Sequence, residues 1–188
     1  MLNIAETLNR WCRTARPFAL ATVTGVSGSA PLPVGTALAV NADGVPVGSI
    51  SGGCVEGAVY DLCRELLASG EPPARARFRY SDGDAFAVGL TFGGELEIMV
   101  QRVDPVACSQ LAWALTEVVA DRPVAVAQVV DGPEPLLGST LSLFGDGSAY
   151  AGTIGSARQD RAVAARVAAV LRSGHRSHRL ANYCVPTR

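Results

Sequence analysis

A chain of 188 residues that is 48% hydrophobic holds enough apolar surface for one ample domain or two small ones. Its formal net charge of −1, with acids and arginines interspersed, leaves no electrostatic footprint for nucleic acid. No apolar run approaches the ~20 residues of a membrane span. Met1 to Arg13 mixes Glu6 and Arg10 into a helical pattern with no secretory h-region, so the expected location is the cytoplasm. All 16 basic residues are arginines, which excludes lysine Schiff-base chemistry and a Walker-type phosphate lysine. The 2 histidines, His175 and His178, sit together near the C-terminus, and no Cys-x-x-Cys or His-x-x-x-His spacing offers a zinc site. The chain is poorly equipped for acid–base catalysis at neutral pH.

In chain order, Ile4, Leu8, Trp11 and Cys12 mark the packed face of a first helix over about 3–14. A strand follows over 19–24. Ala37 to Val40 and Val47 to Ile50 then flank Asn41-Ala42-Asp43-Gly44, a hairpin-type turn. Val55, Ala58, Val59, Leu62, Cys63, Leu66 and Leu67 recur at helical spacing, with Gly70 as the stop. Arg75 to Tyr80 alternates as a strand with one solvated face, Ser81 to Gly94 is a polar, glycine-bearing loop, and Glu95 to Arg102 is a further strand. Asp104-Pro105 supplies an N-cap and first-turn proline for a helix to about Ala120. Hairpins require antiparallel pairing, while helical crossovers permit parallel pairing. The predicted fold is α/β, of α+β-like character: a mixed sheet with packed helices.

An internal repeat organises these elements. Val34 to Val40 followed by Asp43-Gly44 matches Leu137 to Leu143 followed by Asp146-Gly147. Gly48-Ser49-Ile50 matches Gly152-Thr153-Ile154, and Leu67 to Gly70 matches Leu171 to Gly174. The chain is therefore read as a single domain, 1–188, holding pseudo-repeats 19–70 and 124–174 on one continuous core, with an irregular tail over 175–188. Where the first copy has Gly52-Gly53-Cys54-Val55-Glu56, the second has Ser156-Ala157-Arg158-Gln159-Asp160. The glycines and the thiol are thus not needed to make the fold.

That makes Ser51-Gly52-Gly53-Cys54-Val55-Glu56-Gly57 the candidate site. Paired glycines let a backbone approach a ligand closely, and the first amides of the following helix are expected to point outward, unpaired, toward an anion. Cys54 is placed in the helix's first turn, where the dipole favours thiolate over thiol. Of the 5 cysteines, an odd count that argues against a disulfide framework, Cys12, Cys63 and Cys108 fall on apolar stripes and read as core. Gly93-Gly94 repeats the turn chemistry and is a second backbone segment for the same ligand, or a plain bend at the start of a strand.

These residues resemble a known family, the accessory factors of xanthine dehydrogenase and aerobic carbon monoxide dehydrogenase (XdhC/CoxI). The likeness runs from Ala19-Leu20-Ala21-Thr22-Val23 through Gly28-Ser29-Ala30-Pro31 and Ser51 to Gly57, and on to Gly89-Leu90-Thr91-Phe92-Gly93-Gly94-Glu95-Leu96-Glu97. The resemblance implies a chaperone, not a turnover enzyme, that binds the molybdenum cofactor and promotes its sulfuration and insertion into a molybdenum hydroxylase. It implies cofactor contacts at Ser51, Gly52, Gly53, Cys54, Val55, Glu56, Gly93 and Gly94, with the Cys54 sulfur meeting molybdenum or its sulfur ligand. The apo-hydroxylase is the implied partner, with a cysteine desulfurase and a separate Rossmann-domain protein as further candidates. Edge strands and a one-domain length suggest a homodimer. Two positions depart from the family pattern: Phe92 stands where relatives carry a second cysteine, and Leu32 where a basic residue is common. Those departures motivate a second reading, an interaction subunit that has lost cofactor binding. A third is a small thiol-dependent enzyme using Cys54.

Overall fold

A computed structural model describes residues 4–28, 32–53, 55–79, 94–172 and the backbone of 182–186. Cys54, Phe92, Gly93 and both histidines lie outside the described residues. The chain divides into two compact units, one over Arg16–Val103 and one made of Leu2–Ala15 with Asp104–Arg188. Each has its own sheet and a core cluster.

In the first unit, β1 (Phe18–Gly28), β2 (Ala37–Asn41), β3 (Pro46–Gly48), β4 (Ala74–Arg79) and β5 (Gly94–Val103) form an antiparallel sheet in the order β3-β2-β1-β5-β4. The β2–β3 turn closes because Gly44 takes φ +81° and the Asn41 side-chain oxygen accepts the Val45 N–H at 2.8 Å. Helix α2 (Glu56–Ser69) packs Val59, Cys63 and Leu66 against Ala19, Ala21, Val40, Ile98 and Val100. Gly70, at φ +69°, ends it by donating its N–H to the Leu66 carbonyl. Arg77 and Arg79 on β4 pair with Glu97 and Glu95 of β5, which accounts for the exposed alternation of that strand.

The second unit carries β6 (Val124–Asp131), β7 (Thr140–Phe144), β8 (Ala149–Gly152) and β9 (Asn182–Pro186) in the order β8-β7-β6-β9. The β6–β9 pair is parallel and the others antiparallel, so this is the mixed sheet. β9 stands in the stretch read from sequence as irregular: after Gly174 the pattern holds too few apolar positions to announce a strand. Helix α4 (Ala157–Arg172) covers one face through Val163, Ala164, Val167 and Ala168. Helices α1 (Ala5–Arg13) and α3 (Ser109–Val119) belong to the same unit, joined by a hydrogen bond from Thr116 Oγ1 to the Asn9 side chain. α3 begins at Ser109 and not at Asp104. The Asp104 carboxylate instead accepts the Val106 N–H and its carbonyl the Cys108 N–H, closing a separate turn ahead of the helix. Among the described residues, no helix is long and apolar enough to cross a membrane.

Two glycines test how tightly the β7–β8 hairpin is held. Gly152 sits at φ +93°, and a side chain there would run into the Thr140 carbonyl oxygen and the Gln110 side chain, whereas one at Gly145, φ +61°, would meet nothing within 4 Å. In urea titrations, Gly152→Ala is expected to lower stability by about 2–4 kcal/mol, left-handed strain plus overpacking, and Gly145→Ala by about 1 kcal/mol, strain alone.

Candidate functional site

Glu56 opens α2 and folds its carboxylate back over the loop that precedes it. Oε1 accepts the Ser49 hydroxyl at 2.7 Å and the N–H groups of Ile50 at 3.2 Å, Ser51 at 2.9 Å and Gly52 at 3.0 Å. Oε2 accepts the Gly53 N–H at 2.8 Å and the Ser51 hydroxyl. Ser51 Oγ in turn accepts the Val55 N–H at 3.1 Å. The chain's own acid therefore takes the amides of the loop, 50–53, ahead of the helix-start amides that were expected to stand unpaired. Only an ionised carboxylate, with about four lone-pair directions on two oxygens, can serve so many donors at once.

The electrostatics follow. Partial burial pushes the Glu56 carboxyl up, and the hydrogen bonds from Ser49, Ser51 and the loop backbone outweigh it, holding its pKa at about 2 against an ordinary 4.5. The three thiols with described side chains move the opposite way. Burial pushes Cys63 up to about 12, and burial together with the nearby Cys108 thiol pushes Cys12 up to about 11. Cys108 is also raised, by burial first. Cys63 is a core residue as its spacing suggests; Cys12 and Cys108 are half-buried instead of fully enclosed.

The sequence-predicted residues sort into two roles. Ser51 is fully buried and Val55 is 8% exposed within the core cluster, so both frame the loop and face inward. Gly52 and Gly53 are exposed, at φ +79° and +128°. Glu56, half-buried, ties these parts together. α2 starts at Glu56 with Val55 as its N-cap, and the first-turn placement of Cys54 lies outside the described residues. Ala58, placed by its spacing on the apolar stripe, is exposed, as is Gly57. A side chain at Gly53 or Gly57 would meet no atom within 4 Å. Gly94 begins β5, paired with Gly28 of β1.

The second unit shows what the glycines change. There Asp160, at the position matching Glu56, accepts the Thr153 hydroxyl at 2.9 Å and the Ile154 N–H at 2.8 Å, as Glu56 does with Ser49 and Ile50. The segment before it is helical: α4 begins at Ala157, closed by a capping box in which Gln159 Oε1 accepts the Ser156 N–H at 2.9 Å and Ser156 Oγ accepts the Gln159 N–H at 3.4 Å. In the first unit the same segment is an open loop. One helical turn is exchanged for a glycine loop, and the longer glutamate reaches the extra donors. The sequence comparison aligned these two acids without assigning either a structural task; their shared position behind Gly48-Ser49-Ile50 and Gly152-Thr153-Ile154 was the available signal.

Because its folded-state pKa is depressed, Glu56 contributes stability that is complete above about pH 4.5 and lost as pH falls toward about 2. Glu56→Gln leaves several loop donors unserved and is expected to lower stability at pH 7 by about 2–3 kcal/mol. The difference from wild type should shrink between pH 4.5 and 2 in denaturant titrations across that range.

The family profile described as XdhC and CoxI matches residues 11–81 and 118–183. Among solved structures, a protein named a xanthine dehydrogenase, from Bacillus halodurans, aligns with a TM-score of 0.60 and 21% identity, over 79% of this chain and 44% of that one. At that identity the likeness is one of fold, and this chain spans less than half of that protein's length. No curated protein matches the chain. A profile match over most of the sequence, through both units and the Ser51 to Gly57 motif, places the chain in the XdhC and CoxI family.

Proposed function

We propose that the chain is an accessory factor in the maturation of a molybdenum hydroxylase of the xanthine dehydrogenase or carbon monoxide dehydrogenase type. In this reading the loop at the head of α2 handles the molybdenum cofactor during its sulfuration and insertion, and the apo-hydroxylase is the docking partner. The observation that supports it is the glycine-rich head of α2: one turn of helix is given up to leave Gly52 and Gly53 exposed, Gly57 is exposed in the helix's first turn, and no atom stands within 4 Å of where a side chain at Gly53 or Gly57 would lie. Glycine inside a helix costs about 0.5–1 kcal/mol relative to alanine, and at Gly57 the chain's own packing offers no reason for it. Close approach of a ligand or partner does.

The residues fit the cofactor only in part. The 50–53 amides cannot hold its anionic groups, because the Glu56 carboxylate already occupies them and presents negative charge of its own. What remains for the group is the exposed glycine edge and the Cys54 thiol, a soft ligand suited to molybdenum or sulfur. When bound, the cofactor supplies the metal and its sulfur ligand; Glu56 keeps the loop in shape and Gly57 keeps its approach clear. The filled amide cradle also supports a second reading, an interaction subunit that docks on the hydroxylase through this loop without carrying cofactor.

Titration of isolated molybdenum cofactor into wild type, Cys54→Ser and Gly57→Leu separates these readings. Wild type is expected to bind, Cys54→Ser to bind at least tenfold more weakly, and Gly57→Leu to bind poorly while its circular dichroism and melting temperature hold, since no neighbour obstructs the new side chain. No binding by wild type, together with co-elution of the apo-hydroxylase that Gly57→Leu abolishes, establishes the interaction subunit instead.

A further inference from the structure

A cleft of about 220 Å³ opens in the first unit, lined by Pro17, Ala42, Arg64, Leu67, Ala68 and Arg102. It lies at the C-terminal half of α2, eleven residues and so roughly 16 Å along the helix from Glu56 to Leu67, well away from the glycine loop. Two arginines from different elements, α2 and β5, share it.

The charge balance of this unit makes those two stand out. Arg16 is bonded to Asp43 at 2.6 Å, Arg77 to Glu97 at 2.8 Å and Arg79 to Glu95 at 2.6 Å. Arg64 and Arg102 have no hydrogen-bond or ion-pair partner among the described residues. Asp43, next to Ala42 of the cleft wall, is committed to Arg16, and no ion pair joins Glu65 or Asp104 to either arginine among the described residues. Both side chains are exposed, each over a defined part of the fold. The Arg64 guanidinium lies against the β2–β3 turn, where any side chain at Gly44 would strike it, and Tyr60 locks that turn by donating its hydroxyl to the Gly44 carbonyl at 3.0 Å. The Arg102 guanidinium lies beside the Gly70 cap of α2. Two guanidiniums lining one small cleft favour an anion between them, and each offers a planar fork matched to an oxyanion.

We propose that this cleft binds a small phosphate monoester, its phosphate held between Arg64 and Arg102 and its organic body on Pro17, Ala42, Leu67 and Ala68. A dianion answers two cations, and the apolar lining calls for more than free phosphate. The volume, below the ~300–1,000 Å³ of drug-sized sites, limits the body to about one ring. The site is independent of the cofactor reading, and neither depends on the other.

Calorimetric titration of the full chain with phenyl phosphate, inorganic phosphate and benzoate tests it. Phenyl phosphate is expected to bind tightest, with affinity falling as salt rises. Arg64→Gln and Arg102→Gln should each weaken it at least tenfold, Arg64→Lys by less, and Arg158→Gln, in the other unit, not at all. Failure of wild type to bind phenyl phosphate overturns the proposal, as does equal binding of inorganic phosphate or benzoate. Arg102→Gln with a lowered melting temperature and unchanged affinity also overturns it, leaving Arg102 as a partner for the helix's negative end.

Discussion

The head of α2 depends on one carboxylate. Without Glu56, the loop from Ser49 to Gly53 would lose the acceptor of four backbone N–H groups, of which Gly52 alone keeps a long bond to Ser49 Oγ, and would leave two glycines free to sample most of their conformational space. With it, two hydroxyls and four amides converge on two oxygens, and the least constrained stretch of the first unit acquires a fixed shape. Fixing glycine backbone opposes folding by about 1–2 kcal/mol per residue. Charge-assisted hydrogen bonds, roughly twice as strong as neutral ones, are the contacts able to offset that. The depressed pKa is the same fact seen from the proton's side.

The two units use this device with different side chains, and the difference is instructive. Both set a glycine at positive φ at the end of the hairpin, Gly48 at +92° and Gly152 at +93°, then a hydroxyl residue, then an isoleucine buried in the core. Both acids bond that hydroxyl and that isoleucine N–H. The hairpins are also stitched alike: Gly35 donates to Val23 at 2.8 Å and Gly138 to Val129 at 2.9 Å. An aspartate suffices where the helix starts at once and Ser156 and Gln159 cap it. A glutamate is needed where the turn has been opened, because one more methylene carries the oxygens out to Gly52 and Gly53. Side-chain length and loop conformation belong together.

Much of this architecture is legible in the sequence because it follows from local rules. The Asn41 to Gly44 turn, the Gly70 stop and the apolar stripe of α2 are each set by residues adjacent in the chain, and the structure places them within a residue or two. The solvated face of β4 is legible for the same reason. The division into two units is not, since which sheet a strand joins is decided by contacts between distant residues. β9 pairs in parallel with a strand more than fifty residues earlier in the chain, and nothing local in 182–186 encodes that partner. At the site, the glycines and Glu56 stand out in the motif, yet the motif does not say that the acid serves the glycines. A glutamate at the start of a helix is ordinarily read as a surface charge meeting the dipole. Only the geometry reveals that it turns back and takes the amides itself.

That reversal changes the chemistry left available at the loop. An open cradle of amides at a helix start is a general anion receptor and would recognise any phosphate or carboxylate. With Glu56 on the amides of residues 50–53, that loop is no longer a receptor for anions; it is a mount shaped by its own carboxylate, with Gly52 and Gly53 exposed. What such a mount can offer beyond shape is the side chain carried between Gly53 and Val55, and in this motif that is a thiol. The three thiols with described side chains, Cys12, Cys63 and Cys108, are all raised by burial and are poor nucleophiles and poor ligands near neutral pH. Selectivity at the loop would then come from the softness of sulfur, with charge attraction excluded by the acid beneath it. The two candidate sites of the first unit thereby divide the work that the sequence had assigned to one place. On these proposals, soft-ligand contact falls to the glycine end of α2 and oxyanion recognition to the arginine pair at its other end.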